Sequence, residues 1–208
     1  MSTGPPSRHI DRGLGDSPLL TYLRETRTGR VRFVRCIFGN DTMNTISKMT
    51  ESAFLALASD RCVAVPAIGL ELSVRTPKDF VGKGLELIET TNAPGFGPPL
   101  HKHREAEIFY ILQGRYLFEV DGKRFEARAG DTVVANGNVA HRFVNIDSQP
   151  STQLVMIVPG FDALAFFTEL GFAMKGGRLD EEAKRGFSVR WGVEFLGPPL
   201  DAPSRGIA

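Results

Sequence analysis

The stretch that decides the fold runs Gly95-Phe-Gly-Pro-Pro-Leu-His101-Lys-His103-Arg-Glu105-Ala-Glu107-Ile-Phe-Tyr-Ile-Leu-Gln-Gly114. Its second half contains a continuous apolar run, Ile108-Phe-Tyr-Ile-Leu112, of the kind a central barrel strand presents. Its first half carries two of the chain's four histidines. Alternate residues of a strand share a face, so His101 and His103 should point the same way, with Glu105 and Glu107 on the same parity. Either carboxylate could then reach a metal ion held by the two imidazoles. His141 would have to arrive from a different strand, while His9 belongs to the N-terminal tail. Three imidazoles and one carboxylate make a borderline-hard donor set suited to one divalent transition metal: Fe, Mn, Co, Ni, Cu or Zn. Such a set leaves coordination positions open, which separates a catalytic site from a structural one. His-x-His alone reads more readily as two polar residues on a surface strand, so the metal reading needs the wider frame.

Working outward, the pattern from Cys62 onward is one of short strands separated by turn residues, an all-β signature. Leu85 to Thr91 has strand composition and leads into the stiff loop Pro94 to Pro99. Tyr116, Phe118 and Val120 alternate with polar or smaller neighbours up to Asp121-Gly122. That pair between two strands is a strong hairpin signal, because both residues tolerate positive φ. Thr132–Ala135 and Leu154–Val158 supply further strands. After Pro159-Gly160 the period changes to about 3.6, with Ala163, Phe166, Phe167, Leu170 and Met174 on one helical face. A second helix is expected from Asp180 to Trp191, with Ala183, Phe187 and Trp191 spaced by four and Gly192 as its stop. The tail from Val193 to Leu200 ends in Gly197-Pro-Pro, which cannot continue a helix.

With 42% hydrophobic and 24% charged residues in 208, a single soluble domain with a proper core is expected. The net charge of +1 offers no field for nucleic acid or for an anionic membrane, and no apolar run approaches a membrane span. The charge is unevenly spread: residues 1–48 hold eight Lys/Arg against four Asp/Glu, leaving 17 against 20 for the rest. Residues 1–16, rich in Gly, Pro, Ser and Arg, should be disordered. Residues 31–38 could form a strand and Asn44 to Leu57 a helix. Met49 would serve as a start of translation, so the segment before it reads as an extension or as an arm that pairs with a partner subunit. The expected division is an extension over 1–60, a barrel with its helices over 61–200, and a tail over 201–208. Cys36 and Cys62 are isolated and read as reduced thiols, and no signal peptide is apparent, so a cytoplasmic setting is expected.

The quoted stretch resembles the first motif of the cupins: glycine, five residues, His-x-His, three residues, Glu, six residues, glycine. That match selects Glu107 over Glu105. Gly130-Asp-Thr-Val-Val-Ala-Asn136-Gly-Asn138-Val-Ala-His141-Arg-Phe-Val-Asn145 resembles the second motif in its glycine, its histidine and its final asparagine. It departs where the family has Pro and Gly, here Asn136 and Asn138. Asn accepts left-handed backbone, so the turn should persist. Finer likeness, in Pro94 to His103, Pro159 to Gly171 and Trp191 to Leu200, is to small single-domain bacterial cupins described as quercetin dioxygenase-like.

The resemblance implies a jelly-roll β-barrel with two C-terminal helices packed outside, and His101, His103, Glu107 and His141 as metal ligands. By the same resemblance the expected function is dioxygenation of a small aromatic or enol-containing substrate, with Glu107 also as catalytic base. The alternatives are a non-catalytic ligand-binding cupin or a sugar or keto-acid isomerase. Phe109, Ile111 and Phe143 should point inward, either as core or as an apolar substrate pocket. No basic cluster shares their face, which favours a poorly charged substrate. Tyr110 and Tyr116 are candidate proton donors, Asn145 a candidate partner of the ligands, and Lys102 and Arg104 should face solvent. The expected partners are a small-molecule substrate and a second copy of the chain in a homodimer.

Overall fold

The computed structural model describes residues 22–24, 32–34, 56–57, 60–77, 84–177 and 179–203. The chain divides at Met43 into two units. In the first, β1 (Tyr22–Arg24) and β2 (Arg32–Val34) pair antiparallel, with Tyr22 opposite Val34. Residues 32–34 of the strand expected over 31–38 are thus extended. The disorder expected over 1–16 and the helix expected from Asn44 lie outside the described residues, save Ala56 and Leu57, which are not helical.

The second unit is two antiparallel sheets facing each other. Its strands are β3 (Cys62–Val65), β4 (Leu70–Val74), β5 (Glu86–Asn92), β6 (Pro99–Lys102), β7 (Ala106–Gln113), β8 (Arg115–Val120), β9 (Lys123–Arg128), β10 (Thr132–Ala135), β11 (His141–Asn145), β12 (Ser151–Val158) and β13 (Glu194–Pro199). One sheet has the order β10-β7-β12-β5-β4-β3, the other β13-β6-β11-β8-β9. This is the expected jelly roll, in which each sheet buries one face against the other. The alternation that drives it is plain in β4, where Leu70, Leu72 and Val74 are buried and Glu71 and Ser73 are partly exposed. Between the sheets Phe109, Phe118 and Phe143 meet with ring centroids 5.2 to 5.7 Å apart, and Tyr116 joins them 5.5 Å from Phe143. Asp121 and Gly122 turn the β8–β9 hairpin with φ of 52° and 71°, as a two-residue loop between twisted strands requires.

One end of the barrel is closed by a hydrogen-bond network. Tyr116 donates to Asn92 Oδ1, and Asn145 donates to the carbonyls of Asn92 and Gln149 while accepting from Ser151 and from the Asp147 N–H. The other end, where β6 stops and β7 and β11 begin, carries the histidines.

The two helices form as read. In α1 (Ala163–Ala173) Asp162 caps the N-terminus through Ala165 N–H, and in α2 (Glu181–Trp191) Asp180 does so through Ala183 N–H. Gly192 ends α2 at φ 67°. Ala163 and Leu170 are buried, with Phe166, Phe167 and Met174 packed against the core. The tail beyond Gly192 does not continue the helix; it forms β13, pairing with β6 so that Phe195 lies opposite His101. Its Gly-Pro-Pro ending is compatible with pairing because β13 is an edge strand, where a residue without an N–H costs no ladder bond on its solvent side.

Candidate metal centre

Four side chains converge at the open end. His101 comes from β6, His103 from the bend just after it, Glu107 from the start of β7 and His141 from the first position of β11. His141 lies directly opposite His101 in the sheet. The imidazole centroids of His101 and His141 are 4.5 Å apart, those of His103 and His141 5.1 Å, and those of His101 and His103 5.5 Å. One ligand atom from each of His101, His103, Glu107 and His141 lies within 4.8 Å of all the others. Simple strand parity does not produce this. β6 ends at Lys102 and the backbone bends at Arg104 and Glu105, so His101 and His103 meet across a break rather than along one strand face.

The outer nitrogens of the histidines are held from behind. His101 Nδ1 is 2.8 Å from the Pro99 carbonyl and His141 Nδ1 is 2.9 Å from the Val139 carbonyl. Each Nδ1–H donates to its carbonyl, which leaves Nε2 turned to the centre, the tautomer a metal ligand needs. His103 is backed differently. Its Nδ1 lies 3.4 Å from Glu105 Oε2, too poorly aligned to be a hydrogen bond, and its Nε2 lies 3.7 Å from Glu107 Oε1. Glu105 therefore stands behind His103, itself held by Arg104 Nε at 2.6 Å. Parity could not separate the two glutamates; the bend does.

The electrostatics suit cation capture. Burial, with the His141 charge next, pushes His101 down to about 4, so its ring is neutral near pH 7. Burial would raise Glu107, but the hydrogen bond from His141 Nε2 at 3.1 Å and the three neighbouring imidazoles outweigh it and hold the carboxyl near about 2. The same bond and charge overcome burial at His141 and raise it. The donor set thus offers an ionised carboxylate among imidazoles, two of them oriented by backbone carbonyls, and it fits a divalent transition metal by number and type of donor.

The remaining candidates fall into place around this centre. Phe109 touches it, with its ring 6.3 Å from that of His141, whereas Ile111 and Phe143 lie in the packed core. Tyr116 is sealed in the closed end, where burial pushes its phenol above the ordinary range, and Tyr110 is exposed. Asn145 is bound into the network at that far end, with Asn92, Asp147, Gln149 and Ser151. Lys102 and Arg104 differ from the reading in part: Arg104 is exposed, but Lys102 is paired with Glu194 of β13 at 2.9 Å. Both border a cleft of about 530 Å³ that runs past His103. Its far wall is Phe161, Arg190 and Trp191, of which the sequence marked Phe161 and Trp191 through the finer family likeness and through helix packing, but not as lining a site. Asn138 also borders it, in the left-handed conformation at φ 64° where the family motif has glycine.

A family model described as "Cupin domain" matches residues 89–158, which hold all four convergent side chains. The chain is 34% identical over 86 residues to "Uncharacterized protein MJ1618" of Methanocaldococcus jannaschii, covering 69% of that protein and 41% of itself. The chain belongs to the cupin superfamily. A second relative of this cupin is the "Oxalate-binding protein" of Thermotoga maritima, 35% identical over 66 residues, spanning 31% of this chain and 54% of the relative. Among solved structures it is similar to KdgF from Halomonas sp., at 21% identity and a TM-score of 0.43, covering 49% of this chain and 87% of that one. Among the described residues of this cupin no helix is long and apolar enough to cross a membrane.

Proposed function

We propose that His101, His103, Glu107 and His141 hold one divalent transition metal and that the protein is a dioxygenase of a small aromatic or enol-containing substrate. The observation that supports this is the convergence of three imidazoles, two of them held by backbone carbonyls, and one carboxylate within 4.8 Å at this end of the barrel. A bound ion would supply Lewis acidity toward a substrate oxygen. The chain's own groups do the rest. Pro99 and Val139 carbonyls fix the rings of His101 and His141, and Glu105 backs His103. Phe109 sets an apolar ring beside His141, with centroids 6.3 Å apart. Glu107 is the carboxylate positioned to take the proton of a substrate hydroxyl.

Metal analysis of protein purified without a histidine tag tests the first half. Close to one divalent metal per chain is expected, with most of it lost in His101→Ala and in His141→Ala. Glu105→Gln should lose far less metal than Glu107→Ala, and equal losses would refute the assignment of Glu107. Oxygen uptake by the Fe-, Mn-, Co- or Ni-loaded protein with flavonols and 1,3-diketones tests the second half. There, Glu107→Gln should remove turnover more completely than metal.

A non-catalytic binding role is the second reading, favoured by the likeness to a relative named for binding oxalate. Metal-replete protein that consumes no oxygen yet binds panel members tightly would establish it.

A further inference from the structure

The cleft beside His103 is assembled from parts of the chain far apart in sequence. Lys102 and Arg104 flank the ligand on one side; Phe161, just before α1, and Arg190 and Trp191, the last residues of α2, form the other. Those last three lie outside the residues matched by the family model, which end at 158. At about 530 Å³ the cleft is the size of a small-molecule site.

Three cations line it. Lys102 Nζ pairs with Glu194 at 2.9 Å. The two arginines pair through Nε as their shortest contact, Arg104 with Glu105 at 2.6 Å and Arg190 with Glu169 at 3.1 Å. Both side chains are mostly exposed, and the Arg190 guanidinium also lies over the Trp191 ring, 5.7 Å from its centroid, so each fork borders the cleft beside an aromatic wall where an anion could bind. Glu169 is not part of the lining, so the three lining cations face two lining carboxylates, Glu105 and Glu194. The apolar side is equally specific. The Phe161 and Trp191 rings meet at 72° with centroids 6.4 Å apart. The indole N–H of Trp191 is shut off from solvent and has no hydrogen-bond partner among the described residues.

We propose that this cleft binds the carboxylate of a flat, aromatic acid, its ring against Phe161 and Trp191 and its anionic group between Arg104 and Arg190. This deepens the functional reading above and rests on it for what happens once the ligand reaches His103; binding itself needs no metal. It also revises the expectation of a poorly charged substrate. No basic residue shares the parity of Phe109 and Ile111, but three basic residues meet at the mouth from other elements.

Trp191 is the chain's single tryptophan, so its emission reports on the cleft. Benzoate should change that emission saturably in both metal-loaded and chelator-treated protein, and benzamide, the neutral isostere, should not. Arg190→Gln and Arg104→Gln should each weaken benzoate about fivefold or more, the loss expected for one charge-assisted hydrogen bond. Arg128→Gln, on the far strand β9, should leave the affinity unchanged. Equal responses to benzoate and benzamide, no saturation, or full affinity in the two arginine variants would overturn the proposal. So would a benzoate response seen only in metal-loaded protein and abolished by His101→Ala, which would place the anion on the metal and leave the metal reading standing. Benzoate binding in a chain that never retains metal would sink that reading and leave the cleft intact.

Discussion

Glu86 should destabilise this protein, and removing its charge should show it. Glu107 of β7 lies opposite Ile157 of β12, and Ile157 lies opposite Glu86 of β5, so the two glutamates share one row on the inner sheet face. With strands about 4.8 Å apart, their Cα atoms are roughly 10 Å from each other. Glu86 is 0% exposed, and neither of its carboxyl oxygens closes a hydrogen bond with a described residue. Burial raises its pKa; the nearby Thr76 hydroxyl and the Arg61 charge pull it partly back, and Asp162 pushes it up again. The sign follows. A carboxyl whose folded pKa lies above its unfolded value of about 4.3 gives stability that is complete below that value and is lost as pH rises through the folded pKa. Within that window the slope approaches about 1.4 kcal/mol per pH unit, the most one proton allows, and beyond it the curve flattens.

Two substitutions separate the causes. Glu86→Gln keeps the shape and the unsatisfied polar atoms but cannot titrate, so its stability should lack this falling segment. Glu86→Met keeps the volume without polar atoms and should gain about 1–3 kcal/mol at pH 7, the cost of a buried polar group left unpaired. Urea unfolding of metal-free protein from pH 4 to 8, followed by far-UV circular dichroism, measures both. If Glu86→Met is less stable than the parent by more than about 1 kcal/mol, or if the parent and Glu86→Gln share one pH profile, Glu86 is held as a paired carboxylate and the reasoning fails.

Two further predictions concern the frame around the site. Arg142, next to His141, donates to both oxygens of Glu119 at 3.0 and 2.9 Å and to the Pro198 carbonyl at 2.7 Å. Glu119→Ala should therefore cost about 3–5 kcal/mol by urea unfolding, with Glu119→Ala/Arg142→Met recovering much of the loss; a single-variant cost below about 1 kcal/mol would show the pair to be idle. Gly97→Ala would set a Cβ 1.8 Å from the Phe143 carbonyl oxygen, backbone against backbone. It should cost about 3 kcal/mol or more and lower metal content through the displacement of β11, and a variant with unchanged melting would refute that close approach.

How far the sequence foretold this depends on which physical signal each residue carries. Asp121-Gly122, the period-two strands, the 3.6 period after Pro159-Gly160 and the Gly192 stop are local signals, and each element they mark is present. The four convergent residues were readable because the motif fixes their spacing to two glycine frames, even though parity, the reason first given for pairing His101 with His103, is broken by the bend at Arg104. The segment Leu85 to Thr91 shows the opposite case. Its apolar residues, Leu85, Leu87 and Ile88, straddle both parities, so polarity does not say which face is inner. The fold turns Glu86, Ile88 and Thr90 inward, and Leu87 is half-covered on the outside. Glu86 is invisible to any rule that sends charge to solvent.

The cleft was unreadable for a different reason. Lys102 and Arg104 alternate with the histidines, and alternation sends such residues to water when a strand has a free outer face. Here that face also borders the cleft. β13 pairs with β6, placing Glu194 beside Lys102 and Phe195 beside His101. Only Gly192 and Val193 separate β13 from α2, so the same pairing brings Arg190 and Trp191 to the rim of the cleft. A Gly-Pro-Pro tail carries no strand signal, yet its register against β6 decides what stands next to the ligand strand. The motif thus governs which atoms could hold a metal, and the unmatched C-terminal segment governs what could approach it. Two chains with identical histidine frames and different tails should accordingly differ in the ligand they admit while agreeing in the metal they hold, which exchanging residues 181–200 between such chains would measure directly.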